Sequence, residues 1–251
     1  MFVLLSIFMT LPIFLLLGSE APNTVSFVES AAIVFGIGVF GIVSTYRKPR
    51  DLKPRYMFVL TVSSWFIISL LSALPFYLSD HGISAADAFF EGASGITTTG
   101  ATVFSGLDTM DRDLLLWRSI LQWIGGIGII GMFVAVLPFL LVVYVFFSFT
   151  AVVTYWFSGM TLFDAFNHGL TSIATGGFST SDQSMGKFND LILVEASFFM
   201  MIGSLPFFLF VRELHGQRGV LFRDQQVRLF LTILLVVPAL LTLYRWVVSP
   251  V

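Results

Sequence analysis

Apolar residues run almost unbroken over 1–17, 25–46, 56–78, 114–137, 191–211 and 229–248, and a further apolar stretch fills 138–157. A helix needs about 20 apolar residues to cross a bilayer, whereas a membrane strand shows about ten residues of alternating character. The pattern predicts a bundle of spanning helices and excludes a strand barrel. The run 1–17 has no basic residue ahead of it and is read as a retained span rather than a signal peptide. The region 114–157 is long enough for two crossings yet has no polar turn. Antiparallel helices are normally joined by about 2–8 residues of connection. The expectation is that a polar loop is absent from the chain near 138–145.

The polar positions between the spans repeat. Asp87-Ala88-Phe89-Phe90-Glu91-Gly92 is followed by Ile96-Thr97-Thr98-Thr99-Gly100-Ala101. At an offset of 77 residues, Asp164-Ala165-Phe166-Asn167-His168-Gly169 is followed by Ile173-Ala174-Thr175-Gly176-Gly177-Phe178. The register continues into the next apolar run, pairing Leu114 with Leu191, Leu116 with Leu193 and Gly126 with Gly203. A repeat of this kind marks one structural unit used more than once. In both copies a stretch too short to cross, 84–96 or 161–173, begins at a capping hydroxyl (Ser84, Thr161). An Asp (Asp87, Asp164) sits in its first turn, as suits a helix start. The unit is span, short helix, Thr/Gly loop, span.

Composition agrees with a membrane protein: 57% of residues are hydrophobic and 11% charged, with mean hydropathy +0.92, against about 25% charged in a soluble domain. The net charge of −2 matters less than its placement. Arg47, Lys48, Arg50, Lys53 and Arg55 crowd one loop, and Arg212, Arg218, Arg223 and Arg228 another. The positive-inside rule puts both in the cytoplasm. For that to hold, 138–157 must be a crossing of its own, and both Thr/Gly loops then re-enter from the outer side. Irregular backbone at membrane depth is tolerated only against protein or a water-filled cavity.

A Thr/Gly loop in that position can turn backbone carbonyls toward a common axis, where they replace the hydration shell of a monovalent cation. Thr97-Thr98-Thr99-Gly100-Ala101-Thr102-Val103, Leu121-Gln122-Trp123-Ile124-Gly125-Gly126-Ile127-Gly128-Ile129 and Ala174-Thr175-Gly176-Gly177-Phe178-Ser179-Thr180 together resemble the TrkH-type subunits of the Trk/Ktr/HKT potassium transporter superfamily. The resemblance covers about 27–228. It implies an all-α polytopic membrane protein of repeated helix, re-entrant pore loop, helix units. It also implies a potassium filter lined by Thr97, Thr98, Thr99 and Gly100 in one quarter and by Ala174, Thr175, Gly176 and Gly177 in another. Whether Gly176 or Gly177 matches Gly100 stays open at this stage. Potassium is then the substrate, with no cofactor. The implied partners are a TrkA-like cytoplasmic nucleotide-binding regulatory subunit and a second copy of the chain, in the inner membrane of a bacterium.

On this reading the chain divides into a helix pair (1–55), a first pore unit (56–138), a second (139–212), and a cytoplasmic loop with the first helix of a third (213–251). Family members carry four such units around one pore, and two are legible here. The alternative is therefore a non-conducting, partial scaffold of the same type. His81, His168 and His215 are scattered, and no paired metal carboxylates or nucleophile and base are readable, so catalysis is not expected. The outer-side acids are assigned mainly to caps and solvated loops, with a cation-attracting vestibule as the other reading. Glu91 and His168 share one repeat position and are open to either a functional or a structural role. Arg118 and Gln122, one turn apart on an apolar helix, are assigned to a polar contact at the level of helix packing, with a transport site as the other reading. The glycines near 36–41 and 125–131 are assigned to close helix contact.

Overall fold

The computed structural model describes residues 1–16, 21–46, 54–130 and 137–248. They form twelve α-helices and two short 3-10 turns. α1 (Phe2–Leu15) and α2 (Thr24–Thr45) lie against each other, brought close at Gly38, where a Cβ would meet Val3 at 2.8–2.9 Å. α3 (Pro54–Ser72) and α4 (Leu74–Tyr77) lead to the short helix α5 (Ala85–Ile96), and α6 (Arg112–Ile130) follows the first loop. α7 (Leu137–Phe157), the short α8 (Leu162–Ile173) and α9 (Asp190–Gly203) repeat that order. α10 (Phe207–Leu214), α11 (Val220–Arg223) and α12 (Gln225–Val248) complete the described chain.

Among the described residues, α2, α3 running into α4, α7 and α12 are long and apolar enough to cross a membrane, and α9 with α10 would be a fifth crossing if counted as one. That pair is a correction: 191–211 reads as one continuous span, but the helix breaks after Gly203 and turns by 83°. Pro206 lacks an N–H and restricts Leu205 before it, so the helix cannot continue in line. Residues 138–145 lie inside α7 and contain no turn; the junction with α6 falls at 131–136, outside the described residues. The basic segment 47–53 lies outside them too.

Two apolar cores correspond to the two repeats. One joins α1 to α6, including Phe27, Phe76, Leu116, Trp117 and Leu121. The other joins α7 to α10, including Tyr144, Tyr155, Ile173, Phe199 and Phe207. Trp123 on α6 packs against both. In each repeat a glycine lets the short helix lie against the span before it. A Cβ on Gly92 would stand 2.9 Å from the Ala73 nitrogen, and one on Gly169 would stand 3.0 Å from the Val152 nitrogen. Gly36 and Gly41 meet nothing within 4 Å, so of the three glycines at 36–41 only Gly38 serves packing.

This separates contact glycines from the rest. Gly92→Ala and Gly169→Ala push a Cβ into backbone that cannot yield, and each should cost about 1–3 kcal/mol. Gly36→Ala and Gly41→Ala should be neutral or stabilising by up to about 1 kcal/mol, since Ala favours helix over Gly. Thermal unfolding of the detergent-purified protein compares the two pairs, and equal losses in both would refute the assignment.

Candidate cation site

The two loops are built alike, starting from their helices. α5 and α8 each have 12 residues, about 18 Å and too short to cross. Ser84 accepts from the Asp87 N–H at 3.1 Å and donates to the Asp87 carboxylate at 2.7 Å. Thr161 does the same to Asp164 at 3.1 and 2.8 Å. Both caps expected from sequence are therefore present.

The helix ends also match. The Thr98 N–H donates to the Gly95 carbonyl at 3.0 Å and the Thr99 N–H to the Ser94 carbonyl at 2.9 Å. In the second copy the Thr175 N–H donates to Ser172 at 3.1 Å and the Gly176 N–H to Thr171 at 2.9 Å. This pair of bonds is the Schellman cap, which puts one residue in the left-handed region, usually Gly. Here that residue is Thr98 (φ 56°) or Thr175 (φ 51°). A β-branched side chain at positive φ is an outlier and costs of order 1–3 kcal/mol. Strain of this kind, repeated at equivalent positions, singles the loops out from ordinary turns.

Two residues on, Gly100 (φ 77°) and Gly177 (φ 83°) return to positive φ, while Thr99 and Gly176 do not. Alternating the sign of φ brings successive carbonyls toward one side of the chain. It also resolves the register: Gly177 is the backbone equivalent of Gly100. Thr97, Thr99, Thr175 and Gly177 are exposed, Thr98 and Gly100 half-buried, and Ala174 and Gly176 buried. The loops touch, since a Cβ on Gly100 would overlap the Gly176 carbonyl oxygen. Across the loops Gly100 meets Gly176 and Gly177, and Thr98 lines one cavity with Ala174 and Thr175. A cavity of about 320 Å³ opens beside Thr98, Ala174 and Thr175 and is walled by Tyr144, Phe207 and Phe208. α10, turned by the Pro206 bend, supplies the last two.

What holds the loops was only partly legible. Glu91 (0% exposed) and Arg118 (1%) form an ion pair, with Arg118 Nε donating to Glu91 Oε1 at 2.6 Å. The guanidinium also donates to Thr102 Oγ1 at 3.1 Å and to the Ser179 carbonyl at 3.0 Å, and it lies 4.2 Å from the Phe178 ring centroid. Thr102 in turn donates to both Glu91 oxygens, at 2.9 and 3.0 Å. One side chain therefore ties α5, α6 and the segments after both loops. Gln122 Nε2 donates to the Gly176 carbonyl at 2.8 Å, and its Oε1 accepts from the Phe178 N–H at 3.1 Å. Sequence analysis assigned this pair to packing, whereas both residues reach the loops. Two polar residues one turn apart on an apolar helix were the available signal. His168, at the Glu91 position, is buried with an edge-on Phe188 ring 5.2 Å away. Thr180 lies 3.4 Å from its Nε2 and donates to Asp164 at 2.6 Å.

Each span after a loop presses a glycine on the last carbonyl of its short helix. A Cβ on Gly125 would overlap the Ile96 oxygen, and one on Gly203 the Ile173 oxygen. The structural match is Gly125 with Gly203, one residue away from the Gly126 pairing read by offset.

The outer acids are used as links. Asp182 accepts from the Gly106 and Leu107 N–H groups at 2.9 and 3.1 Å. Asp108 accepts from the Ser181 hydroxyl at 3.0 Å, the Asp182 N–H at 3.2 Å and Lys187 Nζ at 3.2 Å. Ser181, then the Asp182 N–H, then Lys187 hold the Asp108 carboxyl below the ordinary carboxylate range. Asn23 donates to Asp111 and Asp113 at 2.8–3.0 Å, fastening the start of α2 to the start of α6.

A family model described as TrkH, cation transport protein, matches residues 27–141 and 136–248. Its two stretches meet beside the junction that lacks a polar connection. The Trk system potassium uptake protein TrkI of Halomonas elongata is 39% identical over 277 aligned positions, covering 98% of this chain and 56% of that protein. TrkH of Salmonella typhimurium is 32% identical, covering 88% and 53%. The crystal structure of the potassium transporter TrkH from Vibrio parahaemolyticus superposes with a TM-score of 0.86 at 33% identity, over 92% of this chain and 54% of that one. The chain spans about half the length of these relatives.

Two stability measurements test the loop supports. Thr98→Gly and Thr175→Gly relieve the left-handed strain and should each stabilise the fold by about 1 kcal/mol. Arg118→Met strands the Glu91 carboxylate and should cost about 3–5 kcal/mol, and adding Glu91→Leu should recover most of that. A double variant no more stable than Arg118→Met would refute the ion pair as the source of the loss.

Proposed function

Because the chain belongs to the TrkH family of cation transport proteins, we propose that it lines half of a potassium uptake path with Thr97, Thr98, Thr99 and Gly100 from one loop and Ala174, Thr175, Gly176 and Gly177 from the other. The observation that carries this is the duplicated backbone. Two touching loops share a Schellman end with left-handed Thr, followed by left-handed Gly. Carbonyls aligned by that alternation replace water around a monovalent cation, and the C-terminal ends of α5 and α8 add negative partial charge beside it.

The rest of the proposal follows the same reading. The basic residues of 46–55 and 212–228 face the cytoplasm of a bacterial inner membrane. A TrkA-like nucleotide-binding subunit meets that face, and the chain pairs with a second copy. The second reading, a non-conducting scaffold, is favoured by the Gly176 carbonyl, which already accepts from Gln122 Nε2 at 2.8 Å.

Rubidium uptake in cells lacking other potassium uptake separates the two. The potassium reading expects uptake that falls at least about tenfold with Gly100→Ala, where the new Cβ overlaps the Gly176 carbonyl at an unfavourable φ. It expects a smaller loss with Gly177→Ala, which is strained but meets open space. A normally inserted protein with no uptake supports the scaffold, and uptake indifferent to Gly100→Ala overturns the filter.

A further inference from the structure

The duplicated loops are not held alike. Gln122, fully buried on α6, reaches out of the first repeat and grips the second loop at two points. Its Nε2 donates to the Gly176 carbonyl at 2.8 Å and its Oε1 accepts from the Phe178 N–H at 3.1 Å. The two bonds straddle Gly177, the left-handed residue. They also explain the second glycine. Gly176 is not at positive φ, but a Cβ there would overlap the Gln122 amide. The residue is glycine so that the amide can approach.

The first loop is different at each of these points. Its equivalent of Gly176 is Thr99, an exposed residue whose hydroxyl pairs with that of Thr97 at 2.7 Å. Among the described residues, no side chain makes the corresponding bonds to the Thr99 carbonyl or the Ala101 N–H; the first loop is held instead by Ser94, which donates to the Ala101 carbonyl at 2.5 Å.

We propose that Gln122 is a positioning residue of the cation site, which fixes the Gly176 carbonyl and the turn at Gly177, so that the two loops bind a monovalent cation unequally. The inference rests on the filter reading above. It goes further in making the second loop's share of the site depend on one side chain from the other repeat.

Hydrogen exchange of the purified 251-residue protein, read separately over 97–103 and 174–180 in KCl and in NaCl, tests this. Gln122→Leu keeps the bulk and removes both bonds. It should speed exchange at 174–180 about tenfold, leave 97–103 within about twofold, and abolish the extra protection that KCl gives the second loop over NaCl. Gly176→Ala should do the same alone and add nothing in a Gln122→Ala background, because the two changes break one contact. The proposal is overturned if Gln122→Leu leaves 174–180 within about twofold of the unaltered protein. It is overturned equally if both loops accelerate together, or if the potassium-specific protection of the second loop survives. No potassium-specific protection in the unaltered protein overturns the filter reading and the unequal binding with it, while the exchange contrast still decides whether the clamp exists.

Discussion

Arg118 sets the terms for everything around the loops. A guanidinium that is 1% exposed on an apolar helix cannot remain unpaired, because an ion taken out of water loses several kcal/mol of solvation. Its donors are met by Glu91 behind the first loop, Thr102 after it and the Ser179 carbonyl after the second, with the Phe178 ring over its face. Those partners come from both repeats. Satisfying one charge therefore fixes the position of one loop relative to the other. The pair contributes less to net stability than to specificity, since moving either loop would leave an ion uncompensated.

Within that frame each loop is shaped by its own helix end. The Schellman bonds force a left-handed residue at 98 and 175, and the chain places Thr there in both copies. The β-branched side chain of Thr is stiff, so the turn is held in one conformation at the cost of strain. The left-handed Gly that follows permits the loops to touch at Gly100. Outer contacts through Asp108 and Asp182 join the segments beyond the loops, so the pair is held above as well as behind.

α6 is the element that makes two repeats into one body. Arg118 and Gln122 reach the loops, Ser119 donates to Asn167 on α8 at 2.7 Å, and Trp123 donates to Ser148 on α7 at 3.0 Å. Four polar contacts on one helix explain why it is less apolar than the other spans.

By itself the sequence determined the elements that depend on local chemistry. The apolar runs, the capping Ser84 and Thr161, the length of α5 and α8 and the 77-residue repeat were legible because hydropathy, caps and turn residues act over a few positions. The eight loop residues were singled out by the resemblance of their motifs to a known family. Only tertiary structure decided the rest, because each point depends on a contact between distant residues. The Gly176 or Gly177 choice needed backbone angles, since both are glycine. The slip from Gly126 to Gly125 depended on which residue meets Ile96. Arg118 and Gln122 looked like packing because their partners lie 16 to 61 residues away. A polar side chain on an apolar helix announces that it needs a partner, and only the folded chain shows which partner it has.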